Sequence, residues 1–138
     1  MSGTSLDGLD LVVSKFVLNK NKWEFSILLK KTHKYSSDWI KRLKTAIYLN
    51  KTELLELDIN YSKYLAQIIN DFTSNKKIKI DFLSSHGHTV FHEPKKGLTY
   101  QIGNNRNLSD LTSKTLVCDF RSQDVSLGGQ GAPLVPVG

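Results

Sequence analysis

The chain has 138 residues, of which 39% are hydrophobic and 23% charged, with a formal net charge of +6. A chain of this length is one domain's worth and can bury roughly 68% of its extended surface, which excludes a disordered tail or a fibrous repeat. Cys118 stands alone, so there is no intrachain disulfide framework; no apolar run approaches the ~20 residues of a membrane span, and Met1-Ser2-Gly3-Thr4 lacks the basic and apolar regions of a signal peptide. A cytoplasmic protein is expected.

Residues 1–10 read as a glycine-bearing polar loop. Leu11 to Leu18 is a strand rich in Val, Leu and Phe, and Asn19-Lys20-Asn21-Lys22 is a turn cluster. Beyond it Trp23, Phe25, Ile27 and Leu29 recur with period two, which predicts a half-buried strand and a hairpin over 11–33. Ser36 or Ser37 can cap a helix carrying Ile40, Leu43 and Ile47. A longer helix is predicted from about Thr52 to Phe72, its stripe Leu54, Leu57, Tyr61, Tyr64, Leu65, Ile68, Ile69 and Phe72 reading as core. Helices thus occupy 36–75.

The remainder, 78–138, alternates strands with loops. Ile78, Ile80 and Phe82 predict one strand, and Leu98, Tyr100 and Ile102 a second. A short helix follows around Leu108 to Ser113, then a third strand over Leu116 to Phe120. Gly87 and Pro94 read as a loop between the first two strands. The order implies an α/β layer structure with a mixed sheet flanked by helices. Ligands gather where such strands end, and here those ends carry the densest polar and glycine content.

The basic balance raises a nucleic-acid partner as one alternative. Only three of the 19 basic residues are arginines (Arg42, Arg106, Arg121), whereas base readout leans on Arg. The lysines come in small groups at turns and polar faces, so a solvated surface is the simpler reading.

Three segments could carry chemistry. Gly3 and Gly8 have the spacing of a Walker A loop, but Leu9 and Asp10 stand where Lys and Ser or Thr are needed; what remains is a loop whose glycines and hydroxyls suit an anion. Ser85-His86-Gly87-His88-Thr89-Val90-Phe91-His92-Glu93-Pro94 holds three of the four histidines. Metal ligation and Ser-His-Asp hydrolysis are both weaker readings there than polar contacts from His86, with His88 and His92 as satisfied loop residues. In the third, Arg121 could clamp an anion or a sugar oxygen, and Asp124 could pair with Arg121 or orient a hydroxyl. Gly128-Gly129-Gln130-Gly131 is not the dinucleotide fingerprint, since Leu134 replaces the third glycine. Cys118 reads as a buried strand residue.

Together these segments resemble one family, the anhydro-N-acetylmuramic acid kinases of bacterial cell-wall recycling. The residues that carry the resemblance are residues 1–10, Ser85 to Pro94, Tyr100-Gln101-Ile102-Gly103-Asn104, Asp119-Phe120-Arg121, Asp124 and Gly128 to Pro136, in that order. His88 departs from the family's usual Gln. The resemblance implies an actin-like ATPase (ribonuclease H-like) fold and the N-terminal portion of a two-domain kinase, with the chain expected to be incomplete at both ends. The implied reaction opens the 1,6-anhydro ring with water and phosphorylates O6 from ATP, with Mg2+, giving N-acetylmuramic acid 6-phosphate.

By the same resemblance, Gly3, Thr4, Ser5, Leu6, Asp7, Gly8, Leu9 and Asp10 match the ATP phosphate loop. His86, Gln101, Arg121 and Asp124 are expected to contact sugar or phosphate. No metal ligand and no catalytic base is assigned here; the family's base lies in an Asp-Thr-Gly-Pro-Gly-Asn motif that these residues lack, expected beyond Gly138, so the chain alone is expected to be inactive. The expected partners are the anhydro sugar and ATP, with no nucleic acid and no membrane; a homodimer is compatible. A basic nucleic-acid-binding module and a related actin-fold kinase with another substrate are the alternatives.

Overall fold

In the computed structural model, residues 1–3, 5–74, 76 and 78–132 are described. Two strands, β1 (Leu9–Asn19) and β2 (Lys22–His33), pair antiparallel. Lys20 and Asn21 between them both take positive φ (45° and 64°), as a two-residue type I′ hairpin turn requires. A register shift after Val13 divides the hairpin. At its root, Leu9 and Val13 are buried and Leu11 packs on the core.

The outer part corrects the sequence reading. Trp23, Phe25 and Ile27 are not half-buried but 70%, 69% and 56% exposed, beside equally exposed Phe16 and Leu18. Phe16 and Phe25 pair across the strands, with centroids 6.2 Å apart. Period-two alternation shows that one face is apolar; whether a layer covers that face depends on residues far away in sequence.

Helix α1 (Ser37–Thr45) is capped by Ser36, whose hydroxyl accepts from Trp39 N at 3.3 Å. A single 3-10 turn, Ala46–Tyr48, follows. Helix α2 (Lys51–Ser74) opens on a capping box: Asn50 Oδ1 accepts from Thr52 N and Glu53 N, and Glu53 Oε2 accepts from Asn50 N. Its stripe is core as expected except at Phe72, which is half-buried and outside the core cluster. Tyr61 is fully buried, Leu54, Leu57, Leu65 and Ile68 nearly so, and Tyr64 and Ile69 pack against the same cluster. Trp39 stacks on Tyr64 at 4.6 Å and meets Tyr61 edge-on at 5.5 Å.

In the second half, β3 (Phe82–Ser85) pairs parallel with β6 (Thr115–Cys118), and β4 (His88–Glu93) antiparallel with β5 (Leu98–Ile102). Helix α3 (Arg106–Thr112), capped by Asn105, precedes β6, and α4 (Ser122–Ser126) follows it. Three expectations change. Ile78 and Ile80 precede β3 rather than belong to it; the span between Gly87 and Pro94 is a strand; α4 is a helix where none was expected. Ile102 and Leu108 are fully buried in the cluster built on α2.

The chain is α/β, but among the described residues its strands form three two-stranded sheets rather than one mixed sheet. Among the described residues β1 pairs with β2, with Ser2 bridging its first residue, and β3 pairs with β6. Parallel pairing of β3 and β6 sets Ser85 beside Cys118. The segments leaving both strands, His86 on one side and Asp119 to Arg121 on the other, therefore emerge together. Among the described residues no helix is long and apolar enough to cross a membrane.

Candidate active site

The segment before β1 closes on itself. Ser2 bridges Leu9 antiparallel, Asp10 N donates to Met1 O at 2.9 Å, and Leu6 N donates to Gly3 O at 3.2 Å. Leu6 sits at positive φ (56°) with its side chain buried in the core. Such a conformation costs on the order of 1–3 kcal/mol in a non-glycine residue and persists where its surroundings over-determine it; the buried leucine side chain supplies that constraint. Leu6 and Leu9 thus offer a ligand only backbone. Ser5 Oγ donates to Asp7 Oδ1 at 2.8 Å, and Thr32 Oγ1 donates to Asp10 Oδ1 at 2.6 Å. Thr4, also expected in this loop, lies outside the described residues, as does the 133–136 part of the C-terminal motif.

Gly8 is required by space. A Cβ there would meet the His33 carbonyl oxygen at 2.8 Å and Thr32 Cγ2 at 3.0 Å, where β2 returns against the loop. Gly8→Ala is expected to cost about 1–3 kcal/mol, the usual penalty for overpacking. A urea midpoint unchanged from wild type would show that the loop has room to yield.

The other expected residues fall into two groups. His86 and Arg121 meet directly: Arg121 Nε donates to His86 Nε2 at 2.9 Å. That bond requires a lone pair on Nε2, and the proton on Nδ1 can then go to the Gly87 carbonyl, 3.3 Å away. Gly87 itself takes φ +68°, and a Cβ there would collide with the Ile102 carbonyl, which holds His86 and His88 on either side of a fixed kink. Burial and the neighbouring guanidinium both lower the His86 pKa, so the imidazole stays neutral. Arg121 is half-buried and makes no ion pair among the described residues; its own pKa is lowered by desolvation alone.

Asp124 is not paired with Arg121: its Oδ2 accepts from Gly131 N at 2.6 Å while its backbone carbonyl accepts from Gly129 N at 2.8 Å. It shapes the glycine turn after α4, its side chain and its backbone carbonyl each holding one glycine amide. Gln101 is buried on β5, where Nε2 donates to Thr99 Oγ1 at 2.8 Å.

Gln101 also lines a polar cavity of about 200 Å³ with Asp58, Tyr100, Asn104, Asn105 and Asp119. Apart from Gln101, the sequence reading assigned none of these a role. Asp58 comes from α2, and its Oδ1 accepts from Gly103 N at 2.6 Å, fastening β5's end to the helix. Asn104 Nδ2 donates to the His86 carbonyl at 3.0 Å, and Asp119 Oδ1 accepts from Ser122 at 2.5 Å. Asn104 and Asp119 lay inside the motifs that carried the resemblance, a usable signal. Asp58, a polar position within the long helix, carried none. The histidines also change: His88 and His92 lie on β4, and His88 is buried with Nδ1 2.9 Å from Ser2 Oγ. Cys118 ends β6 half-buried, Sγ donating to the Asn104 carbonyl, with burial raising its pKa.

The sequence profile of the family described as anhydro-N-acetylmuramic acid kinase matches residues 1–138. Curated proteins named anhydro-N-acetylmuramic acid kinase are similar throughout. That of Pseudomonas fluorescens (strain Pf0-1) is 39% identical over 153 residues, that of Prochlorococcus marinus (strain MIT 9211) 36% over 148, and that of Sulfurimonas denitrificans (strain ATCC 33889 / DSM 1251) 34% over 143. Each alignment covers 99% of this chain and 38% of the relative, so the chain spans well under half the length of these proteins. With the family profile matched from end to end, the chain belongs to the anhydro-N-acetylmuramic acid kinase family.

Proposed function

We propose that, at the length of its relatives, the protein is an ATP-dependent sugar kinase of the actin-like fold acting in peptidoglycan recycling in the cytoplasm. Water adds across the 1,6-anhydro bond of anhydro-N-acetylmuramic acid, and the γ-phosphoryl group of ATP passes to O6. The products are N-acetylmuramic acid 6-phosphate and ADP. The observation that carries this reading is the family match over every residue of the chain.

The geometry supports distinct tasks for the two parts of the site. The closed loop before β1 offers backbone amides to the nucleotide phosphates, where preorganised donors stabilise charge without reorganising, while the Ser5 hydroxyl, already donating to Asp7, orients that carboxylate. Arg121, desolvated and without a carboxylate partner among the described residues, suits an anionic group of the acceptor, such as the carboxylate of the muramic acid. His86 keeps the Arg121 side chain in place by accepting at Nε2, and Gln101 offers an amide to sugar hydroxyls. Asp124 acts through the glycine turn. The base that activates the water is assigned to no residue of this chain.

The donors near the loop fit Mg2+. Asp7 and Asp10 provide carboxylate oxygens, the ligand class that ion takes. When bound, Mg2+ neutralises charge on the phosphoryl group.

The test is the full-length protein with ATP and the anhydro sugar, read by mass spectrometry. The sugar is expected to gain one water and one phosphoryl group, with ADP formed in equal amount. A protein inert on this sugar yet active on another would overturn the assignment.

A further inference from the structure

Ser2 and His88 form a buried hydrogen-bonded pair across 86 positions of sequence, with Oγ and Nδ1 2.9 Å apart. Ser2 is 5% exposed and His88 4%. Their places in the fold give the pair its meaning. Ser2 stands at the neck of the closed loop, bridged to Leu9. His88 opens β4, pairs with Ile102, and lies two residues beyond His86, which holds Arg121. We infer that His88 is a positioning residue: its bond to Ser2 fixes the phosphate loop relative to the His86–Arg121 side of the site, and so sets the distance between phosphoryl donor and acceptor. The inference rests on the reading of residues 3–8 as the nucleotide phosphate loop.

The surroundings support a register device. Tyr61 from α2 meets the His88 ring edge-on at 6.4 Å, and its hydroxyl bonds that of Tyr35 at 2.7 Å. Loop, helix, β4 and the segment after β2 are therefore linked through one buried cluster, in which the Tyr61–His88 ring contact joins the Ser2–His88 and Tyr35–Tyr61 hydrogen bonds. Hydrogen bonds fix relative position in a way that apolar packing of the same volume does not. In phosphoryl transfer, an error of about 1 Å can cost on the order of 100-fold in rate.

The test uses the full-length protein with Ser2→Ala, His88→Ala, the double variant and His88→Gln. Two readouts are taken: hydrogen exchange of residues 3–10, which needs no turnover, and kcat and KM for ATP and sugar. His88→Ala is expected to speed loop exchange about tenfold without changing α2, and to lower kcat about 10–100-fold. The double variant should be no worse than the worse single one. His88→Gln, whose amide can also bond Ser2, should recover most of both. Ser2→Ala removes only a hydroxyl and keeps the test alive if His88→Ala does not fold. Wild-type loop exchange and kinetics in Ser2→Ala and His88→Ala would overturn the inference, as would His88→Gln matching His88→Ala. If loop exchange behaves as expected but no variant, wild type included, phosphorylates the sugar, the tether stands and the kinase reading falls.

Discussion

Replacing Tyr61 by Ala is expected to lower the unfolding free energy by about 3–5 kcal/mol, the range for deleting a buried large side chain with its cavity. Domains of this kind are stable by only ~5–15 kcal/mol, so the variant should be near its unfolding limit. The size of the effect follows from position. Tyr61 is fully buried, and its ring contacts Trp39, Tyr64 and His88 from three different elements. Its hydroxyl pairs with that of Tyr35, and burial holds its pKa well above the usual phenol range. Tyr61→Phe keeps the ring and should cost far less, about 1–3 kcal/mol for the orphaned Tyr35 partner. Urea unfolding of both variants measures the difference. Equal losses would mean that the hydroxyl pair, not the packing, carries the effect.

The second large effect is a loss of stability in acid. His88 has a pKa lowered to about 4 from 6.5, chiefly by burial and secondarily by His86. The fold thus favours the neutral imidazole, and between those values the unfolded chain binds more protons. The stabilisation is complete above about pH 6.5 and is lost as pH falls from there towards 4. A shift of that size corresponds to on the order of 3 kcal/mol. The groups around the ring work in one direction: Ser2 and Tyr61 are neutral partners, and His86 adds repulsion once charged. His86, itself lowered, contributes a smaller loss of the same sign because it is half-exposed. Urea midpoints at about pH 7.5 and about pH 4.5 should separate wild type from His88→Gln, which lacks the titrating group. The same acid loss in both proteins would remove His88 as its source.

The two halves of the chain were not equally legible. Short-range signals read well. The turn cluster Asn19 to Lys22 between alternating runs gave the hairpin, a serine before an apolar stripe gave α1, and the stripe of α2 gave most of the core. β4 was hidden because Gly87 and Pro94 both look like breakers; in fact they bound the strand, Gly87 supplying positive φ before it and Pro94 opening a 3-10 turn after it. Helix α4 is only five residues long and has no side-chain cap, so little in its sequence announces it. The Asp124–Arg121 pairing does not form, because spacing cannot tell a carboxylate that reaches a guanidinium three residues away from one that turns to a backbone amide.

Read without coordinates, the chain already discloses its family, its α/β class and the motifs that hold His86, Gln101 and Arg121. Motif order and local periodicity are properties of neighbours along the chain, and they survive without coordinates. Tertiary structure alone decided which partners those residues take. Arg121 finds His86 across 35 positions, Asp58 finds Gly103 across 45, and Ser2 finds His88 across 86. It also decided that the outer hairpin face stays exposed. Each outcome depends on where the chain returns in space, and burial then selects the pairings: a polar group withdrawn from water must meet whichever donor or acceptor the fold brings to it.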